Sequence, residues 1–270
     1  MNIHSDPIRK KGLILSFTGK VAYNADGITI HSALQLPLTS SQLTPLSSNA
    51  LDMLSKEYGQ LRLLLLDESS LIGSRMLHNM DIRLREILHM PTRPFGNRDI
   101  IFCGDLFQIQ PVNDSWIFEQ PTFRFDTIPY SFWREHVKCF ELKEVMRQEN
   151  KDFVSILNRI RICSHTDIDI DCLNNHCCKP APRDPTFPYL FFRNKYVQKH
   201  NEEMLFLVKS ETFTLIAHDK KIDSIEAFTY ANKKLQLPST IVLKQNMLVE
   251  LIGGNYAIED GLVNGAEGIF

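Results

Sequence analysis

Long hydrophobic runs are missing from this sequence, and cysteines are few. No apolar stretch in the 270 residues approaches the roughly 20 residues that a membrane-spanning helix needs. The basic stretch MNIHSDPIRKKG is not followed by the apolar segment of a signal peptide. Six scattered cysteines are too few for a disulfide scaffold. We therefore expect an intracellular protein with reduced thiols and no membrane partner.

The sequence also lacks a strong excess of positive charge and a recognisable zinc motif. A net charge of −2 argues against a protein coated with positive charge, although a local groove of Lys and Arg is enough to bind nucleic acid. The segment CSHTDIDIDCLNNHCC, residues 163–178, has cysteine spacings that match no usual pair of CxxC knuckles. We interpret this segment as a loop with small buried thiols.

A complete phosphate-binding loop is missing as well. That loop has the form G-x-x-x-x-G-K-[ST], because its backbone surrounds the phosphates while the Lys and the hydroxyl reach the phosphates and Mg²⁺. Gly-Lys occurs only at residues 19–20, within LILSFTGKVAYN. Ile14 stands where the earlier glycine is required, and Val21 follows the lysine. This strand and its Gly-Lys therefore do not form a nucleotide-binding loop.

Short apolar runs alternate with amphipathic segments along the chain. Continuous apolar runs predict buried strands of a parallel sheet, and they lie at residues 12–17, 61–67, 99–105 and 189–192. Helical periodicity appears at residues 74–88, 150–162 and 194–208, the last two with Asn150 and Asn194 as N-caps. This alternation predicts an α/β fold. Four prolines within residues 177–188 indicate a domain boundary.

The segment most indicative of chemistry is LLLLDESS, residues 63–70. Four leucines predict a buried strand, and Asp67 and Glu68 follow at its carboxyl end, where ligands bind in open α/β sheets. An Asp in this position can hold Mg²⁺, and an adjacent Glu can orient or deprotonate an attacking water, as in the Walker B element of P-loop ATPases. The alternative interpretation is a strand that ends in a solvated turn.

Two further segments fit nucleotide chemistry. In DIIFCGDLFQIQPV a second apolar strand ends in Gly-Asp, and Gln108 follows on the loop, where it can contact a γ-phosphate or the attacking water. In ELKEVMRQENKDFVSILNRIR, Arg147 precedes an amphipathic helix and can act as an arginine finger. The alternatives are an ordinary turn at Gly104-Asp105 and a surface arginine at position 147.

Taken in order, these segments resemble the Pif family of DNA helicases. The resemblance lies in LLLLDESSLIG, RLREI, PFGNRDIIFCGDLFQIQPV and LKEVMRQENKDFVSILNRIR, and it extends to TGKVAYNADGITIHSALQLP, FFRNKYVQKHN and GLVNGAEGIF. Members of this family are superfamily-one, 5′-to-3′ ATP-dependent enzymes related to RecD and to Helitron transposon helicases. The resemblance implies a RecA-like parallel sheet flanked by helices, followed by an incomplete second RecA-like domain with a β-rich insertion.

The resemblance also implies roles for individual residues. Asp67 would bind Mg²⁺, Glu68 would be the catalytic carboxylate, and Gln108 and Arg147 would contact the γ-phosphate of ATP. Residues in two family segments that run along single-stranded DNA would bind its backbone: Thr18, Gly19, Lys20, Thr29 and His31. Lys20 stands where a small or apolar residue is common, so it either adds a phosphate contact or points to solvent. Asn194 and Asn201 match positions that open the second domain, and Asn264-Gly265 matches a hairpin near its small β-barrel.

These resemblances predict the domains and the activity. We expect a first RecA-like ATPase domain at 1–180 and the start of a second at 181–270. In the family the phosphate-binding loop precedes the segment matching 13–24 and the last motifs follow later. We therefore expect the chain to be the interior of a helicase that, as given, hydrolyses ATP negligibly.

The whole helicase would use ATP and Mg²⁺ to move 5′-to-3′ on single-stranded or forked DNA. It would act in replication, recombination, repair or telomere maintenance, in the nucleus or the mitochondrion if the source is eukaryotic. The alternative is a non-catalytic remnant of a helicase or Helitron-type gene that binds nucleic acid or a partner. A different P-loop class, such as a kinase or GTPase, is disfavoured because nothing in the sequence resembles a base-specificity motif.

Overall fold

The computed structural model describes residues 11–37, 43–121, 132–177, 188–218 and 238–270. The chain divides into two compact units, Met1–His165 and Thr166–Phe270, which are described separately below. The proline-rich segment from 178 to 187 lies outside the described residues. The domain limits expected from the sequence, 1–180 and 181–270, therefore stay a prediction.

The first unit is built on a four-stranded parallel sheet. Its strands are β1 (Gly12–Ser16), β2 (Ile28–Thr29), β3 (Leu63–Asp67) and β4 (Asp99–Phe102). Their order across the sheet is β2-β1-β3-β4, so β1 and β3 are the central strands. Three of the four strands predicted from apolar runs are therefore confirmed, and the parallel arrangement with them.

The core of this unit lies against one face of the sheet. Along β3, Leu64 and Leu66 are fully buried, whereas Leu63 and Leu65 on the opposite face are only half-buried. Apolar side chains from the surrounding helices complete the core, among them Leu34, Leu54, Tyr58, Met80 and Leu84. The continuous leucine run thus forms a strand with one deeply buried face, and that face fixes which residues point into the core.

Helices of the first unit follow and connect the strands. They are α1 (Gly19–Asn24), α2 (Ile30–Leu34), α3 (Ser48–Tyr58), α4 (Ser74–Ile87), α5 (Phe132–His136) and α6 (Lys151–Arg161). In α4 the predicted apolar face is confirmed, with Leu77, Met80 and Leu84 buried. Asn150 caps α6 as predicted, because its Oδ1 accepts a hydrogen bond from the backbone N–H of Phe153 at 3.0 Å.

The described part of the second unit contains two helices and two small antiparallel sheets. Its elements are α7 (Asp167–Cys177), α8 (Asn194–Leu207), β5 (Thr212–Ile216), β6 (Thr240–Lys244), β7 (Leu248–Glu250) and β8 (Glu267–Ile269). Strand β5 pairs with β6, and β7 pairs with β8.

The segment at 163–178 was interpreted as a loop with buried thiols. That interpretation is wrong for the described part, because α7 occupies it and Cys163 is exposed. Cys178 lies outside the described residues.

Two local predictions for the second unit are corrected by the structure. Residues 189–192 form no strand, because they pair with no described strand, and Leu190 and Phe192 are almost completely exposed. Asn194 is the first residue of α8 rather than its cap; the cap position belongs to Arg193, whose side chain makes no capping hydrogen bond.

The Asn264-Gly265 pair forms a turn but does not join two paired strands. The N–H of Ala266 donates to the carbonyl of Val263 at 2.9 Å, and Gly265 has a φ of +87°, which favours glycine. The strand after this turn, β8, pairs with β7, which ends at Glu250. The predicted tight turn is confirmed, and the predicted hairpin is wrong.

Within the described ranges, none of the helices combines the length and the apolar character that crossing a bilayer demands.

Substitution of Leu66 by Ala should destabilise the first unit by about 2–5 kcal/mol, because Leu66 is fully buried at the centre of the sheet. Urea unfolding monitored by tryptophan fluorescence measures this loss, since both tryptophans, Trp116 and Trp133, lie in the first unit. Met53, which is 72% exposed on α3, provides the control. A Met53→Ala variant that lost as much stability as Leu66→Ala would contradict the assigned core.

Candidate functional site

The candidate residues gather where the parallel strands end. Ser16 of β1 is in register with Thr29 of β2 on one side and with Asp67 of β3 on the other. Neighbouring strands lie about 4.8 Å apart, so the backbones of Thr29 and Asp67 are about 10 Å apart across Ser16. The sheet thus brings a candidate DNA residue and a candidate nucleotide residue to one edge.

Asp67 and Glu68 form a sharp turn at the end of β3. One carboxylate oxygen of Asp67 accepts a hydrogen bond from the N–H of Glu68 at 2.9 Å, and the carboxylate makes no other hydrogen bond to the described residues. Glu68 adopts the left-handed conformation, with φ 53° and ψ 49°, which is sparsely populated for residues other than glycine. Such strain is typical of functional sites.

The ends of β3 and β4 are held together by backbone contacts. The N–H of Cys103 donates to the carbonyl of Leu66 at 2.7 Å, and the N–H of Ser69 donates to the carbonyl of Cys103 at 2.9 Å. Gly104 has a φ of +154°, and a Cβ there would lie 2.7 Å from the Ser69 nitrogen. Only glycine permits this close approach, so Gly104 lets the loops after β3 and β4 lie side by side.

Gln108 lies on the loop after β4, and that loop is anchored by Asp105. The carboxylate of Asp105 accepts hydrogen bonds from the guanidinium of Arg161 at 2.7 Å and from the N–H of Phe107 at 3.0 Å. The N–H of Gln108 donates to the Asp105 carbonyl at 3.0 Å, which leaves the exposed Gln108 side chain at the loop surface. Arg161 also packs over the Phe107 ring, 4.8 Å from its centre.

Arg147 makes no described contact with the other candidate residues. It is exposed in a segment without regular structure, and it makes no hydrogen bond or ion pair with the described residues. The structure therefore places Asp67, Glu68 and Gln108 after neighbouring strands, and no described hydrogen bond or ion pair links Arg147 to them. The expectation that Arg147 contacts the γ-phosphate stays a prediction.

The candidate DNA residues occupy the starts of two short helices. Thr18 is the extended residue before α1, and the buried Gly19 and half-buried Lys20 open that helix. Thr29 caps α2, and its hydroxyl accepts the Ser32 N–H at 3.4 Å and bonds the Ser32 hydroxyl at 2.9 Å. Both helices therefore start at the edge of the sheet where Asp67 lies.

His31 belongs to this group through an aromatic contact. Its ring meets Phe17 edge-on, with ring centres 5.8 Å apart, so the ends of β1 and β2 are linked by side chains as well as by backbone. Burial lowers the pKa of His31 below its usual value. At neutral pH the ring is therefore uncharged and offers a hydrogen-bonding and stacking surface rather than a positive charge.

Sequence reasoning missed two residues of this site. Arg161 lies in the amphipathic helix α6 and forms an ion pair with Asp105. The two residues are 56 positions apart in the sequence, so no local pattern predicts this pair. Ser16 is fully buried between Thr29 and Asp67, and its hydroxyl has no hydrogen-bond partner in the structure. A hydroxyl at the end of an apolar strand is the only sequence signal for Ser16.

The described geometry defines a class of protein. A parallel sheet flanked by helices, with Asp-Glu and Gln after neighbouring strands, is the arrangement of a RecA-like α/β domain of the kind found in nucleotide-dependent enzymes. The family model described as PIF1-like helicase matches residues 6–167. The chain belongs to the PIF1-like helicase family.

Relatives and solved structures agree with this assignment. The ATP-dependent DNA helicase PIF1 of Saccharomyces cerevisiae is 29% identical over 73% of this chain, and that of Danio rerio is 28% identical over 93%. The crystal structure of Pif1 helicase from Candida albicans matches 95% of the chain with a TM-score of 0.74 at 23% identity. That of a Bacteroides Pif1 in complex with ADP-AlF3 and single-stranded DNA matches 96% with a TM-score of 0.69, also at 23% identity.

The chain spans only part of these proteins. It covers 23% of the yeast relative and 38% of the zebrafish relative. It covers 57% of the Candida structure and 59% of the Bacteroides structure.

Substitution of Gly104 by Ala should lower stability by about 1–3 kcal/mol, because a Cβ there would overlap Ser69 and strain the backbone. Thermal unfolding monitored by circular dichroism measures the change. Gly268 is the matched control, since a Cβ at that position meets no atom within 4 Å. Equal melting temperatures for Gly104→Ala and the unsubstituted chain would show that the two loops do not depend on this contact.

Proposed function

We propose that this chain is part of an ATP-dependent 5′-to-3′ DNA helicase, which couples ATP hydrolysis to movement on single-stranded DNA. The observation that carries the proposal is the placement of Asp67, Glu68 and Gln108 after two neighbouring parallel strands whose ends are hydrogen-bonded together. Membership of the PIF1-like helicase family supports it. The second observation in its favour is the group of candidate DNA residues at the same sheet edge.

The residues present fit a magnesium nucleotide. Mg²⁺ prefers oxygen ligands and is usually bound in nucleotide sites by one or two carboxylates, phosphates and water. Asp67 offers a carboxylate with only one hydrogen bond to the described residues, and the hydroxyl of Ser16, its neighbour in register, accepts and donates none within the same ranges. Asp67 would hold Mg²⁺, which would neutralise charge on the phosphates of ATP.

Glu68 and Gln108 would act on the attacking water. Asp67 would serve the metal, while Glu68, whose backbone is left-handed, would be available as a general base. Gln108 would orient the water or contact the γ-phosphate from the neighbouring loop. Arg147 would stabilise charge that develops on the γ-phosphate, a role assigned by its position in the family motif.

DNA would pass along the starts of α1 and α2. Thr18 and Thr29 are small residues with a hydroxyl group, and Gly19 has no side chain. Lys20 and His31 lie next to them. These small residues suit close approach of a sugar-phosphate strand. One relative's structure contains single-stranded DNA, and another concerns unwinding at forked DNA. We infer the same substrates for the protein to which this chain belongs, together with an intracellular role in replication, recombination, repair or telomere maintenance.

Substitution of Lys20 by Ala tests the proposed DNA contact. If Lys20 neutralises one phosphate, the salt dependence of oligothymidine binding, plotted as log K against log of salt concentration, should become shallower by about 0.7. Fluorescence anisotropy with a labelled oligonucleotide measures this slope. The control is Lys56→Ala, which removes the same charge from an exposed position on α3. Equal slopes for both variants and the unsubstituted chain would exclude a Lys20 phosphate contact.

Substitution of Glu68 by Gln tests the proposed chemistry. In the polypeptide encoded by the whole reading frame that contains these residues, the substitution should lower DNA-stimulated ATP turnover at least about 100-fold by removing the general base. Binding of single-stranded DNA should be retained, because Glu68 does not lie among the candidate DNA residues. Phosphate release and unwinding of a fork with a 5′ tail are the measurements. An unsubstituted polypeptide with no DNA-stimulated turnover would contradict the proposed activity.

A further inference from the structure

The start of helix α4 is capped by a residue far away in the sequence. The carboxylate of Asp114 accepts hydrogen bonds from the backbone N–H groups of Arg75, at 3.3 Å, and Met76, at 3.2 Å. Its side chain is only 15% exposed. The usual cap position belongs to Gly73, which has no side chain and makes no capping bond. Asp114 therefore performs a task that is normally performed by the residue before the helix.

Neighbours of Asp114 add further contacts between the start of α4 and residues 113–116, and we call this region the junction. The N–H of Ser74 donates to the carbonyl of Ser115 at 3.0 Å, and Gly73 forms an antiparallel bridge with Trp116. A Cβ at Gly73 would lie 2.1 Å from a carboxylate oxygen of Asp114, so the absence of a side chain there makes room for the remote cap.

Arg75 adds a charged contact to the junction. Its guanidinium donates to the carbonyl of Asn113, and its Nε lies 3.8 Å from a carboxylate oxygen of Asp114. The negative charge of Asp114 also lies at the amino end of α4, where the helix dipole favours it.

The junction joins the two loops that carry the candidate catalytic groups. Helix α4 begins six residues after Glu68, and Asp114 lies six residues after Gln108. Nearer the sheet, Ser69 and Cys103 already join the same two loops by a backbone hydrogen bond. The loops are therefore connected at two places. Gln108 lies between these connections, and Glu68 directly precedes the first of them at Ser69.

We propose that Asp114 is a positioning residue that fixes the Gln108 loop against the loop of Glu68. The proposal rests on the function proposed above, because Glu68 and Gln108 are the groups that would act on the γ-phosphate and its attacking water. Asp114 itself touches neither group and acts through the backbone of α4 and through residues 109–113. Loss of the cap should let the Gln108 loop move relative to Glu68.

Hydrogen–deuterium exchange of the 270-residue chain tests the link without nucleotide. Asp114→Ala should raise the exchange rate of amides in residues 105–112 about tenfold, in addition to those in the first turn of α4. Asp114→Asn keeps an acceptor oxygen and should restore most of the protection. Asp52→Ala, which removes an exposed carboxylate from α3, is the control and should change neither segment.

Protection of the β3 amides from hydrogen–deuterium exchange shows whether each variant is folded. Should Asp114→Ala fail to fold, Asp114→Asn and Asp114→Ser provide weakened caps for the same comparison. Faster exchange confined to the first turn of α4, with residues 105–112 unchanged in a folded variant, would overturn the proposal, since Asp114 would then be a local helix cap only.

ATP turnover by the polypeptide of the whole reading frame provides the second readout. Asp114→Ala should lower kcat about tenfold with KM for ATP changed less than about twofold, because misplaced catalytic groups slow the chemical step more than binding. Asp114→Asn should recover most of the loss. Unchanged kcat in a variant with a loosened Gln108 loop would overturn the positioning role. Absent turnover in the unsubstituted polypeptide together with a loosened loop would instead contradict the proposed function.

Discussion

The candidate site depends on the register of the central strand β3 with its two neighbours. Burial of Leu64 and Leu66 decides which face of β3 points into the core, and a shift of pairing by one residue would turn that face to the opposite side. The same register places the carboxyl end of β3 beside those of β1 and β4. The candidate nucleotide residue Asp67 and the candidate DNA residue Thr29 therefore owe their shared position to one structural origin, which is the packing of a few leucines.

Local patterns in the sequence predicted those parts of the site that depend on interactions between residues close together in the chain. Apolar runs predicted three strands of the sheet, and the polar residues that follow two of them identified Asp67, Glu68 and Gln108. The Asn150 cap was predictable because a cap and the N–H groups it bonds lie within one helical turn. The contacts that hold the loops in place were not predictable in this way. Asp105 meets Arg161 across 56 residues, and Asp114 meets Arg75 across 39, so only the folded chain shows them.

Two of the mistaken predictions have the same cause, since each treated a local pattern as if it had a tertiary partner. Residues 189–192 are as apolar as β4, but a strand needs a neighbour to accept its hydrogen bonds, and the described structure provides none. Asn264-Gly265 favours a turn, yet the strand that follows pairs with β7, which ends at Glu250, rather than with residues directly before the turn. Propensity decides the turn, and long-range pairing decides the strand partner.

The fold divides the candidate nucleotide residues into those held in place and one that is not. Glu68 has a strained backbone, and Leu66 and Ser69 on either side of its turn are hydrogen-bonded to Cys103 at the end of β4. The Gln108 loop is held by Asp105 at one end and by Asp114 at the other. Groups that are fixed in this way can act on a bound nucleotide without reorganisation, which is the arrangement that preorganised catalysis requires. Arg147 has no such support within the described residues. Its assignment therefore rests on motif order, whereas the assignments of Glu68 and Gln108 rest on motif order and on geometry together.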